Sequence, residues 1–133
     1  MRIGLFGDRV IKDPEDVTEV FKRFLKGLDV HGHTSHNSTW LHGGAGGAPK
    51  VIVEYLTSIK ADVILFKPWH FINKRMKFSP SLFYIRNRQV IENSDMVVVF
   101  TDDEPDSEVS GVYKLSEEYN IPVVTIPISV NKE

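Results

Sequence analysis

The chain contains no cysteine, which excludes a disulfide framework, a zinc site built on thiolates and a catalytic thiol. It also has no apolar run near the roughly 18–20 residues that span a bilayer, so no membrane segment is predicted. The first residues, Met1 to Gly4, begin a strand pattern rather than a signal peptide. We therefore expect a soluble, cytoplasmic protein.

An excess of charge of one sign is also missing. The chain has 16 Lys and Arg residues against 18 Asp and Glu residues, a formal net charge of −2. Domains that coat nucleic acid carry a strong basic excess, so strong binding to DNA or RNA is not expected. The 133 residues, 41% of them apolar, suffice for one domain with one compact core. We predict a single domain over residues 1–133.

Short apolar runs alternate with longer segments of helical period, which is typical of βα units on a parallel sheet. Strands are predicted at 2–6, 39–41, 62–66, 96–100 and 121–126. The first helix begins at the cap Asp13 and Pro14 and is expected to reach Gly27, and the run 62–66 is typical of a strand buried on both faces. The pattern predicts a Rossmann-like three-layer α/β sandwich with strand order 3-2-1-4-5.

Ligands bind such sheets outside the carboxyl ends of the strands, where a glycine cluster follows the second strand. It consists of Gly43, Gly44, Gly46 and Gly47. Glycines between a strand and a helix let the backbone approach a ligand, and the helix N–H groups can bind an anion. The cluster predicts a phosphate cradle, without the Lys-Ser/Thr of a P-loop. A turn used only for tight packing is the alternative.

A second set of candidate ligand-binding residues is Arg86, Asn87 and Trp69. A guanidinium pairs bidentately with phosphate, the amide donates and accepts, and the indole offers a flat surface for a base. In the alternative interpretation, Arg86 and Arg88 are solvated helix charges and Trp69 covers the core.

Two further groups of polar residues suggest weaker hypotheses. The histidines His31, His33, His36 and His42 have no metal-ligand spacing and no cysteine beside them, so no metal site is predicted. Acidic residues flank the fourth strand, at Asp95, Asp102, Asp103, Glu104, Asp106 and Glu108. Paired carboxylates can act as acid and base, but ribose binding or loop solubility explains these acids more simply.

Together these motifs resemble the SLOG superfamily, in particular its YspA/YpsA-like branch, which is related to DprA and Lonely Guy proteins. The segment Gly7-Asp8-Arg9 is similar to the family's GSR turn, and Gly43–Pro49 to its GGARGAD phosphate loop. Lys67-Pro68-Trp69 and Arg86–Val90 resemble its P-x-x-W and RN-x-x-M/I elements, and Ser94–Phe100 its aD-x-hhhaF strand. The resemblance extends from Met1 to about Pro127.

The resemblance implies a pocket for a nucleotide or a nucleotide-derived molecule, without a further cofactor. The ligand-binding residues that it implies are Gly7, Arg9, Gly43, Gly44, Gly46, Gly47, Trp69, Arg86, Asn87 and Asp95. It also implies a homodimer, because relatives pair through helices beside the pocket.

The chain departs from the family after the fourth strand. The family's Gly-Thr positions hold Glu108 and Val109, and the glutamate of the phosphoribohydrolase branch is replaced by Val112, or by Leu115 in a shifted register. An aliphatic side chain can neither stabilise an oxocarbenium-like centre nor activate water. We therefore expect a protein that senses or sequesters its ligand. The alternatives are a nucleotide N-glycosidase, phosphoribohydrolase or deoxyribosyltransferase using Glu108 or a nearby Asp as nucleophile or base, and an interaction module with a decayed pocket.

Overall fold

A computed structural model describes residues 1–9, 11, 13–44, 46–66, 80–101 and 107–128, with only the backbone described at 80–83 and 107–108. The strands are β1 (Arg2–Gly7), β2 (Thr39–His42), β3 (Asp62–Leu65), β4 (Met96–Thr101) and β5 (Val123–Pro127). The helices are α1 (Pro14–Val30), α2 (Ala48–Ser58), α3 (Pro80–Glu92) and α4 (Ser107–Glu118). No helix in these ranges is long and apolar enough to cross a membrane.

The five strands form one parallel sheet in the order β3-β2-β1-β4-β5. The predicted Rossmann-like arrangement is therefore confirmed. Ile3 of β1 lies opposite Trp40 of β2 and Met96 of β4. The strand order reverses between β1 and β4, and the crevice at such a reversal is where open α/β sheets bind ligands.

The helices cover the sheet in two layers. Helices α1 and α2 share one core cluster, in which Phe21 packs edge-on against Trp40 and Phe100 at ring distances of 5.4 and 5.8 Å. Helices α3 and α4 cover the other face through a second, mainly aliphatic cluster that includes Phe6 and Leu41. Each strand residue therefore faces one layer or the other, according to its parity along the strand.

Helix α1 begins as predicted but is longer than predicted. Asp13 caps it by accepting a hydrogen bond from the Glu15 N–H at 2.9 Å. It passes through Gly27 to Val30, because burial of Leu28 favours another turn. The glycine that ends the helix is Gly32, with φ of 83°. Its N–H donates to the Asp29 carbonyl and the His33 N–H donates to the Leu28 carbonyl, which is a Schellman motif.

The prediction that the third strand is buried on both faces is wrong. Strand β3 is the edge of the sheet and pairs only with β2. Ile64 and Leu65 remain 36% and 44% exposed. An edge strand has a neighbour on one side only, so an apolar composition does not by itself lead to burial.

Candidate functional site

The carboxyl ends of β1 and β4 meet in a buried polar pair. The Asp8 N–H donates to the Phe100 carbonyl at 3.0 Å, and Thr101 Oγ1 donates to Asp8 Oδ1 at 2.9 Å. Asp8 is 7% exposed and Thr101 is 4% exposed. A buried carboxylate at the strand reversal was not among the predicted site residues. The sequence does indicate it, because Asp8 is an acidic residue that directly follows the apolar first strand.

Close packing explains three of the glycines at this edge of the sheet. A Cβ at Gly7 would lie 2.6 Å from the Phe100 carbonyl oxygen. Gly47 has φ of 76° and faces the carbonyl oxygens of Asp8 and Arg9, which a Cβ would overlap. A Cβ at Gly43 would overlap Cδ and Nε of Arg86. The packing alternative therefore accounts for these three positions whether or not a ligand binds.

Arg86 is buried in α3, with 3% of its surface exposed. Its Nε and Nη2 atoms donate to Asn87 Oδ1 at 3.3 and 3.2 Å. Arg88 is different, because its side chain is 43% exposed and lies 3.7 Å from Glu92. The solvated-charge interpretation does not fit Arg86, and it fits Arg88 only in part, because the Nε of Arg88 is buried.

Arg86 lines a narrow pocket, the Arg86 pocket, at the carboxyl ends of β1 and β2. Its polar side consists of Gly7, Gly43, Arg86 and Asn87. Its apolar side consists of Leu5, Phe6, Pro49, Val109 and Val112. The space between them is about 10 Å³, which is room for one water molecule. Four of the predicted ligand-binding residues are therefore brought together, and Val109 and Val112 form an aliphatic wall beside them.

Arg9 and Gly47 line a different depression, between the start of α1 and α2. This open groove, the Arg9 groove, has a volume of about 470 Å³ and is lined by Arg9, Ile11, Pro14, Gly47, Lys50, Val51 and Glu54. Arg9 and Arg86 are both among the predicted ligand-binding residues. The structure places each of them in a separate depression.

The first turn of α2 offers fewer N–H groups to an anion than the glycine-rich loop before it suggests. The Ala48 N–H donates to the Asp8 carbonyl at 3.0 Å, and Pro49 has no N–H. The Lys50 N–H, at the third position, also has no partner within the helix, and it is not replaced by a proline or taken up by Asp8. The anion cradle expected at this helix is therefore limited to its third position and the preceding loop.

His42 takes up one N–H group of the glycine loop. Its Nδ1 accepts a hydrogen bond from the Gly44 N–H at 3.1 Å, so that nitrogen carries no proton. Burial of the ring, and then the positive charge of Arg86, lower the pKa of His42 below its usual value. Both observations favour a neutral imidazole beside the Arg86 pocket.

Gly44 and Gly46 complete the glycine loop and differ from each other. Gly44 has φ of 77°, a conformation that favours glycine, whereas a Cβ on Gly46 would meet no atom of the described residues within 4 Å. The described residues therefore impose no steric requirement for glycine at position 46.

The structure places Asp95 away from the other candidate residues. Asp95 precedes β4, and its Oδ2 accepts a hydrogen bond from the Arg2 N–H at 2.7 Å. It therefore joins the amino ends of β1 and β4, at the edge of the sheet opposite the glycine loop. Trp69 and residues 102–106 lie outside the described residues, as does the side chain of Glu108.

The histidine-rich loop after α1 has a structural explanation. His36 Nε2 lies 2.8 Å from the Ile59 carbonyl oxygen and Trp40 Nε1 donates to the Ser35 carbonyl at 3.0 Å. These bonds tie the loop to the end of α2 and to the core. Within the described ranges, no three His, Asp or Glu side chains are grouped as metal ligands.

Comparison with protein-family models and with curated proteins finds no match. The geometry of the two depressions and the motifs in the sequence are therefore what indicates a function.

Proposed function

We propose that the chain is a SLOG-type protein of the YspA/YpsA-like branch that senses or sequesters a nucleotide or a nucleotide-derived small molecule. The main supporting observation is the buried guanidinium of Arg86, which packs directly over Gly43 at the carboxyl edge of the sheet. A planar guanidinium is well suited to a phosphate group, because it can donate two parallel hydrogen bonds to it.

Each residue around Arg86 has its own proposed role in ligand binding. Arg86 binds the phosphate, and Asn87 holds the guanidinium through its side-chain oxygen at 3.2 Å. Gly7 and Gly43 keep the backbone close on the other side. The aliphatic side chains of Val109 and Val112 offer an apolar surface to the base or sugar.

The pocket must widen to accept such a ligand. Its present space of about 10 Å³ suits a water molecule and not a phosphate group. Arg86 has the longest flexible side chain among the residues that line it. We therefore expect ligand binding to move the Arg86 side chain away from Gly43.

The apolar wall favours binding over hydrolysis. Val109 and Val112 are 1% and 0% exposed, and they occupy the positions aligned with the family's threonine and catalytic glutamate. Neither can act as a nucleophile or a base. The remaining candidate for catalysis is Glu108, and the experiment below includes a variant of it.

The test combines native mass spectrometry of the freshly purified protein with nucleoside monophosphate titrations. We expect a co-purifying nucleotide-like mass without turnover. Arg86→Gln, which keeps hydrogen-bonding capacity but removes the charge, should cost about 1.5–3 kcal/mol of binding. Arg88→Gln is the matched control, because Arg88 lies in the same helix and is 43% exposed at its side chain; it should bind as the wild type does.

Three outcomes would contradict the proposal. Unchanged affinity in Arg86→Gln removes the role of Arg86, and the absence of any ligand favours the interaction module. Release of free base that Glu108→Gln abolishes favours the N-glycosidase. We further propose a cytoplasmic homodimer, as the resemblance implies, to be tested by sedimentation velocity at several protein concentrations.

A further inference from the structure

We propose that the Arg9 groove is a second anion-binding site, separate from the Arg86 pocket, and that it takes a small phosphate monoester with an apolar body. This goes beyond the proposed function, because it concerns different residues on the α1–α2 side of the sheet. Its volume of about 470 Å³ lies in the range of small-molecule sites, roughly 300–1,000 Å³.

The charges of the groove come from two separate elements. Arg9 follows β1, whereas Lys50 and Glu54 belong to α2. Gly47, Lys50, Val51 and Glu54 are spaced at i, i+3, i+4 and i+7, so they share one face of that helix. Arg9 and Lys50 bring positively charged side chains to this surface, and Glu54 brings a negatively charged one.

The wall beneath these charges is held in place by backbone contacts. The Ala48 N–H donates to the Asp8 carbonyl at 3.0 Å, which joins α2 to the turn after β1. Gly47 packs against the carbonyl oxygens of Asp8 and Arg9 in a conformation that favours glycine. These contacts fix the backbone of Arg9 relative to the backbone of Lys50. A ligand that binds between them therefore has to order only the two exposed side chains.

The remaining lining residues determine the class of ligand. The side chains of Ile11, Pro14 and Val51 provide apolar contacts for a ligand body. Glu54 lies one helical turn beyond Lys50 and repels a second anionic group there. The groove thus favours one phosphate attached to an apolar body over a polyphosphate, a use of repulsion for specificity.

The experiment is an amide NMR titration of the full chain with phenyl phosphate, at up to about 10 mM, as suits a weak site. Phenol and inorganic phosphate are titrated in parallel to separate the apolar and anionic contributions. We expect the amides of Gly47, Lys50 and Val51 to shift, and phenyl phosphate to bind more tightly than either fragment.

Two substitutions change the charge in opposite directions. Lys50→Gln should weaken phenyl phosphate by about fivefold, and Glu54→Gln should strengthen it by about twofold to fivefold, as expected for exposed charges. A gain of affinity cannot result from a folding defect, so Glu54→Gln keeps the test informative. Arg86→Gln should leave the groove titration unchanged.

The proposal is overturned if these amides do not move, or if Lys50→Gln and Glu54→Gln leave the affinity unchanged. It is also overturned if the shifts occur instead at Gly7 and Gly43 and vanish in Arg86→Gln. That last result would support the function proposed for the Arg86 pocket while removing the second site, so the two proposals fail separately.

Discussion

Gly43 and Gly46 are three residues apart in one loop, yet an alanine should affect them very differently. At Gly43 the added Cβ would overlap Cδ and Nε of Arg86 and lie 2.9 Å from its Cγ. At Gly46 it would meet no atom within 4 Å in the part of the chain that the structure describes. The two variants therefore test whether the Arg86 side chain packs against Gly43.

The expected magnitudes follow from these contacts. The crowded Arg86 atoms lie in the middle of its side chain, so relief requires the whole guanidinium to move. Overpacking of this kind costs about 1–3 kcal/mol; if Arg86 moves away to relieve it, the loss of the two bonds to Asn87 replaces that cost with a similar one. We expect Gly43→Ala to be less stable by about 2 kcal/mol. Gly46→Ala should be unchanged or more stable by up to about 1 kcal/mol, because alanine restricts the unfolded chain.

Urea denaturation followed by circular dichroism measures both variants. With a slope of about 2 kcal/mol per molar urea, Gly43→Ala should lower the midpoint by about 1 M. A wild-type midpoint in Gly43→Ala would refute the close packing of Arg86 on Gly43. A loss of more than about 1 kcal/mol in Gly46→Ala would show that the loop is more constrained than described. If Gly46→Ala is stable but loses nucleotide binding, the ligand approaches the backbone there.

Two further predictions concern buried polar contacts. Thr101→Val removes the donor to Asp8 Oδ1 and should cost about 1.5–3 kcal/mol at neutral pH, measured by urea denaturation; a wild-type midpoint would show that this bond contributes nothing. For His42, burial and then Arg86 lower the folded-state pKa below 6.5, so its stabilising contribution is present above that pH and is lost as the pH falls. His42→Asn, whose oxygen can still accept from Gly44, should flatten the decline in stability below pH 6.5; an unchanged decline would assign it to other groups.

The strand order was predictable because the sequence alternates clearly between apolar runs and helical segments. Apolar composition does not report the position of a strand in the sheet, which is why β3 was expected to be buried and is the edge instead. Gly27 was expected to end α1 because glycine favours helix ends. Burial of Leu28 outweighs that preference, and Gly32 ends the helix instead.

The candidate site was predictable as far as strand ends determine it. Gly7, Gly43, Arg86 and Asn87 do meet in one pocket. Asp95 precedes its strand, so its place at the amino edge could also have been inferred from the sequence. The separation of Arg9 from Arg86 was not accessible in this way, because it depends on the direction in which the turn after β1 leaves the sheet.

The strand order also has a consequence for synthesis on the ribosome. The first 66 residues contain β1, α1, β2, α2 and β3, which is a three-stranded sheet with one helical layer. The opposite face of that sheet, including Phe6 and Leu41, packs against residues of β4, α3 and α4, which are made later. A nascent chain of this length therefore presents an apolar sheet face and the open edge of β1, the features that chaperones and aggregation both recognise. Completion of β4 closes that edge, because it pairs with β1 along five residue positions from Ile3 to Gly7.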